Sequence, residues 1–156
     1  MNFLEKILAE KAIEVENMPL EEVKKVKTRP SFYETVKKNP EKVHLLGEIK
    51  RASPSKGNIN TEIDILAQAK KYQTAGVSGI SVLTDEVFFK GSIEDLKSVS
   101  EVVDVPLLCK DFIIDQKQLI RAKNAGASMI LLIVAALTKE KLTELYRAAR
   151  ALDLEV

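Results

Sequence analysis

Lys110 and Asp111 stand side by side at the end of a short apolar run, VPLLCK at 105–110. Such a run is too short for a helix and suits a strand buried on both faces. A charged side chain at the C-terminal end of a parallel strand is where α/β proteins place chemistry. The pattern recurs. HLLGEIK at 44–50 ends in Glu48 and Lys50, two apart and therefore on one face of a strand. GISVL at 79–83 runs into Thr84 and Asp85. Opposite charges on one face of an apolar strand are costly unless they pair or line a site. When these strand ends converge, Lys110, Lys50 and Glu48 become the candidate catalytic set, with Lys56 and Lys90 in the loops above. Lysines held together repel, so at least one is expected to have a lowered pKa and to exchange protons near neutrality, with Glu48 holding them in place. That supports acid–base or Schiff-base chemistry on a carbonyl compound, and the residues alone do not choose between the two. Phe88 and Phe89, adjacent in TDEVFFKG at 84–91, form either an apolar wall for a flat ring or aromatics tucked under a helix. A lysine-rich mouth with an aromatic wall suits an anionic substrate with an aromatic part.

A parallel α/β frame must position these residues. Residues 2–16 carry Phe3, Leu4, Ile7, Leu8 and Ile13 at helical spacing, which predicts an amphipathic helix. Residues 20–27 are charged and are expected to be weakly helical. Ser31 and Glu34 form a capping box for a further helix, which Pro40 closes. Residues 1–43 therefore form a helical extension. Strands follow near 44–50, 79–83, 106–110 and 128–134, and a fifth begins at 154–156. Between them the pattern predicts helices over 62–75, from Ser92 to about Val103, over 115–125 and over 139–151. Thr61 with Asp64, Ser92 with Asp95, Asp115 with Gln118, and Thr138 are their expected caps, and Gly76 and Gly126 their stops. AGVSGI at 75–80 resembles AGASMI at 125–130, two strand–helix units further on. The implied unit of about 25 residues is that of a (β/α)8 barrel, which needs about 250 residues in all. The expected fold class is α/β: a TIM barrel represented by its N-terminal helical extension and its first half, residues 44–156. A complete small α/β domain is the competing reading.

Composition narrows the function. The net charge is +1, and with no Trp and 5% aromatic residues the chain has neither the basic field nor the stacking surface of a nucleic-acid binder. The single cysteine, Cys109, cannot close an internal disulfide, which suits a reducing cytoplasm. It reads as a small buried strand residue. The single histidine, His44, has no second histidine to share a metal with and leads into a strand. No run reaches membrane-spanning length and the N-terminus has no signal-peptide pattern, so neither membrane nor export is expected. There is no glycine-rich nucleotide loop, metal triad or Ser/His/Asp set.

Four stretches also match a family. GEIKRASPSKG at 47–57, ISVLTDEVFFKGS at 80–92, LCKDFIID at 108–115 and GASMILLIV at 126–134 resemble indole-3-glycerol-phosphate synthase, the barrel lyase of tryptophan biosynthesis. The resemblance covers the whole chain, including the extension. It implies ring closure of 1-(2-carboxyphenylamino)-1-deoxyribulose 5-phosphate, a phosphorylated small molecule with an anthranilate ring, with loss of carbon dioxide and water. Lys110, from the family's KDF motif, is then the general acid for ring closure. Lys50 contacts substrate and acts as acid in a later step, and Glu48 orients the lysines and helps stabilise developing positive charge. Ser53, Pro54, Phe89, Phe112 and Leu131 match positions that line the substrate pocket. No metal or organic cofactor is implied. The family also uses a glutamate at the end of strand five, an asparagine from strand six, a glutamate–serine pair after strand seven, and phosphate-binding loops seven and eight. None of these lies within 1–156, and Glu155 is not assigned the strand-five role. The expectation is the N-terminal part of a longer barrel, holding the general acid without its base. Two alternatives stay open: a Schiff-base barrel aldolase using Lys110, and a non-catalytic half-barrel that associates with itself or a partner.

Overall fold

In the computed structural model, which describes residues 1–156, two helices precede a parallel sheet and its connecting helices. The leading helices are α1 (Phe3–Asn17) and α2 (Phe32–Lys38). The strands β1 (Leu46–Ile49), β2 (Gly79–Leu83), β3 (Leu107–Lys110) and β4 (Met129–Ile130) pair in that spatial order, all parallel. Helices α3 (Ile65–Thr74), α4 (Ile93–Val102) and α5 (Gln116–Asn124) connect them, and α6 (Lys139–Ala151) follows β4.

The register sorts every strand side chain onto one of two faces. Ile49, Val82 and Cys109 are level with one another, Cys109 with Ile130, and Ile80 with Leu107. All six are buried in one 19-residue core with Ala69 of α3, Leu96 and Val99 of α4, Leu119 and Ala122 of α5, and Leu145 and Ala149 of α6. Each such aliphatic side chain contributes about 1.5–3 kcal/mol on burial, so a one-residue slip is heavily penalised. The opposite parity carries Glu48, Ser81 and Leu108 at one level and Leu83 with Lys110 at the next, with Lys50 one step past β1 at that same level. The helix ends follow local chemistry. Asp64, Ser92, Asp115 and Thr138 each accept from a first-turn amide, and Gly76 (φ +84°) and Gly126 (φ +101°) take the left-handed conformation that ends α3 and α5.

Several boundaries differ from the sequence expectation. Residues 20–27 form no helix: Leu20 and Val23 are exposed, so no apolar stripe holds one. Instead Asn124 binds the Lys24 amide and the Glu22 carbonyl. Further on, Arg29 donates to the carbonyls of Ser100, Val103, Val105 and Gly126. Helix α3 starts at Ile65 rather than 62, because Asp64 itself caps it through the Leu66 and Ala67 amides. At Ser31 only half of the expected box forms, the bond from the Glu34 amide. The loop after β1 holds a short antiparallel ladder, Ala52–Ser53 against Gly57–Asn58. The strand expected over 128–134 shrinks to Met129–Ile130, and Val134–Ala136 coils into a 3-10 turn. Its far side meets only one parallel bridge, Met129 to Glu155, so the ladder has nothing to continue on. The sheet is open. Leu45 and Leu46 at one edge and Val134 beyond the other are exposed. No helix is long and apolar enough to cross a membrane.

Two glycines are required by close approach. A Cβ on Gly47 would sit 2.7 Å from the Tyr72 ring, and one on Gly91 would sit 2.0 Å from the Leu83 carbonyl oxygen. A ring can swing, whereas the carbonyl at the end of a central strand cannot. Overpacking costs about 1–3 kcal/mol and sometimes more. Gly91→Ala is therefore expected to lower the melting temperature more than Gly47→Ala, as read by thermal unfolding.

Candidate active site

Glu48 sits between the two lysines. Lys110 Nζ donates to Glu48 Oε2 at 2.7 Å, and Lys50 Nζ lies 3.0 Å from Oε1. The arrangement follows from strand geometry. Glu48 and Lys50 share a face, and Lys110 is level with Lys50 across Leu83. The Glu48 backbone is pinned as well, since the Tyr72 hydroxyl donates to its carbonyl at 2.9 Å across the space left by Gly47. The three charged side chains are 29–38% exposed, open to a small molecule yet partly shielded. Burial pushes the Glu48 carboxyl up, but the hydrogen bonds and charges of Lys110 and Lys50 outweigh it and hold the carboxyl below its usual range. The repulsion expected among the lysines is offset here, because each ammonium faces the same carboxylate.

A groove of about 710 Å³ adjoins this trio, lined by Lys50, Ser53, Pro54, Lys56 and Phe89, with Phe3 and Ile7 of α1 closing one side. Ser53 is buried and accepts from the Lys56 amide at 3.3 Å. The Phe89 and Phe112 rings are 6.0 Å apart at 36°. Phe88 takes the bland role and packs edge-on against Phe3 at 5.8 Å. Leu131 is half-buried and follows Ile130, which is level with Cys109, so the register carries it to the level of Lys110.

Other candidates fall elsewhere. His44 is satisfied by the Ser78 hydroxyl (2.8 Å) and the Asn39 carbonyl (2.9 Å), ahead of β1. Cys109 is buried, and burial with the nearby Asp111 charge pushes its thiol up to about 12, so it is no nucleophile near neutrality. The Glu155 carboxylate accepts from the Tyr33 amide at 2.9 Å, away from the lysines. No three His, Cys, Asp or Glu side chains converge as metal ligands. Sequence reasoning missed Lys11. This α1 residue is 1% exposed and reaches Asp85 and Asp111, each at 2.9 Å. The signal was present in its spacing, four residues after Ile7 and four before Val15, on the buried stripe.

Known proteins resemble this chain along its whole length. The profile of a family described as indole-3-glycerol phosphate synthase matches residues 4–156. A protein of that name from Listeria monocytogenes serotype 4a (strain HCC23) is 60% identical over 156 residues, covering 100% of this chain and 62% of the relative. Another from Lactococcus lactis subsp. lactis (strain IL1403) is 54% identical, covering 99% and 59%. A third, from Streptococcus sanguinis (strain SK36), is 51% identical, covering 99% and 60%. The chain thus spans about three-fifths of the length of these relatives.

A titration checks the shared carboxylate. Its folded pKa is depressed, so the pairing stabilises fully above the unfolded glutamate value of about 4.3 and is lost as pH falls through the lower folded value. Followed by carboxyl-carbon NMR, Glu48 is expected to titrate below ordinary glutamates. Lys110→Met and Lys50→Met should each move it upward. An unshifted Glu48 in the wild-type protein would contradict the contacts.

Proposed function

The chain belongs to the indole-3-glycerol phosphate synthase family, and from that footing we propose that its sheet is the first half of a (β/α)8 barrel whose mouth makes indole-3-glycerol phosphate. The substrate is 1-(2-carboxyphenylamino)-1-deoxyribulose 5-phosphate, and carbon dioxide and water leave. The observation that carries this reading is one carboxylate shared by two lysine ammoniums, beside a pair of phenylalanine rings.

In this reading the substrate's ring rests against Phe89 and Phe112, with Ser53, Pro54 and Leu131 completing the pocket. The Lys110 ammonium hydrogen-bonds the ribulose carbonyl oxygen. The ring carbon that bears the carboxylate attacks the carbonyl carbon, and the oxygen takes the Lys110 proton. The C–COO⁻ bond then breaks, carbon dioxide departs, and its electron pair restores the aromatic ring. The new hydroxyl leaves as water with a proton from Lys50, while the adjoining methylene carbon gives up a proton to a base, the family's strand-five glutamate, as the five-membered ring becomes aromatic. Glu48 holds both lysines at the carbonyl and offsets the positive charge that develops on the ring nitrogen. Lys110 lies in an ion pair, which suits a proton-donating ammonium rather than the free amine a Schiff base needs.

In the full-length protein, Lys110→Met is expected to lower kcat by about 10²–10⁴, the span of a positioned acid. Borohydride added with substrate should leave no adduct on Lys110. Near-normal turnover by the variant would remove Lys110 from its role, and a trapped adduct would transfer the reading to an aldolase-type enzyme. Glu48→Gln and Lys50→Ala should each impair turnover, with the double variant losing less than the sum of the two. Strict additivity in that cycle would show that they act independently.

A further inference from the structure

Helix α1 carries a lysine where its apolar stripe should continue. Ile7, Lys11 and Val15 are its buried residues, four apart, and Lys11 is 1% exposed. The Lys11 ammonium lies 2.9 Å from Asp85 Oδ1, 2.9 Å from Asp111 Oδ1 and 2.6 Å from Glu14 Oε2, three carboxylates for three N–H donors. Burial alone works against its charge, but Asp111, Glu14 and Asp85 outweigh that and hold its pKa above the ordinary lysine value.

Both aspartates are tied into backbone. Asp85 Oδ2 accepts the Phe88 amide at 2.8 Å. Asp111 Oδ1 accepts the Phe112 amide at 2.7 Å, and its Oδ2 accepts the Thr84 hydroxyl at 2.6 Å. Asp85 thus fixes the β2 exit loop that carries Phe89, while Asp111 fixes the β3 exit loop that carries Phe112 and also reaches the β2 exit at Thr84. Lys11 Nζ is the atom the two carboxylates share. Helix α1 is fastened from the other side by Glu14 to Arg121 at 3.0 Å and by Lys117 Nζ to the Val15 carbonyl at 3.2 Å. Its first turns, through Phe3 and Ile7, close the groove next to Phe89.

We infer that Lys11 is a positioning residue: by bridging Asp85 and Asp111 it clamps the β2 and β3 exit loops together and so sets the spacing of Phe89 and Phe112, the slot for the substrate's aromatic ring. This rests on the functional reading above. Lys11 touches no substrate and acts through the two aspartates. A merely structural lysine would hold α1 to the body without tuning the slot.

The test uses the full-length protein. Lys11→Met is expected to raise KM about tenfold or more while kcat stays within about threefold, the signature of lost binding rather than lost chemistry. Ring-to-ring NOEs between Phe89 and Phe112 should weaken or vanish. Lys11→Met leaves two buried carboxylates without a countercharge, so a second variant adds Asp85→Asn and Asp111→Asn. That triple variant should regain the melting temperature yet keep the raised KM, and it carries the test if the single variant does not fold. Glu14→Gln, which leaves both aspartates on Lys11, should keep the ring contacts between Phe89 and Phe112. A wild-type KM in the triple variant, or intact ring contacts in Lys11→Met, would overturn the clamp. If the wild-type protein does not turn the substrate over, the functional reading fails instead, and the ring contacts in Lys11→Met still decide whether the clamp exists.

Discussion

The constraint on which the rest of the structure depends is the period of two in a strand, locked by parallel register. Ile49, Val82, Cys109 and Ile130 must all face the helices, because burying that face supplies the core. Once they do, Glu48, Lys50 and Lys110 have no choice but the opposite face. The core residues thus aim the chemistry without touching it. The charged trio is tolerated there because it is complete, with one carboxylate for two ammoniums at 2.7 and 3.0 Å and access to solvent.

The same rule explains why neighbours in the chain take different partners. Lys110 and Asp111 are adjacent and look like a natural ion pair. The structure separates them. Lys110 reaches Glu48 on the face away from the core helices, and Asp111 turns to Lys11 of α1 and to Thr84. Two charge clusters of opposite excess therefore flank the end of β3: two lysines on one glutamate within, and one lysine on three carboxylates without. Neither borrows from the other, so each can be complete. The outer cluster is the more deeply buried of the two, and it binds the leading helix to the loops that carry the aromatic rings.

Much of this was legible from residue types. Caps mark the starts of α3 to α6 and left-handed glycines the ends of α3 and α5, because an Asp, Ser or Thr oxygen and a glycine act within a few residues of chain. The pairing of Glu48 with Lys50 is equally local, a matter of i and i+2. The GEIK, SPSKG, VFFKG and KDF stretches carried the family resemblance that the comparison then bore out. Where local signals were weak the reading slipped. Residues 20–27 form no helix, because charge without an apolar stripe gives one nothing to pack. The SMILLIV run became a two-residue strand, because strand length is set by the partner across the ladder and not by the run itself.

What the chain alone determined, then, is which side chains are charged, which faces they share within one strand, and which cap residues start most of the helices. Convergence of the strand ends led to the expectation that Glu48 holds Lys110, 62 residues away, but the tertiary structure alone decided that Phe89 meets Phe112 and not Phe88, and that Lys11 spans Asp85 and Asp111. The physical reason is one of range. Capping and strand parity act over a few bonds, whereas an ion pair or a ring contact between distant segments exists only after register and helix packing have brought them to the same place. Lys11 on an apolar stripe is a trace of such a contact in the sequence, and it names its partners only when the chain has folded.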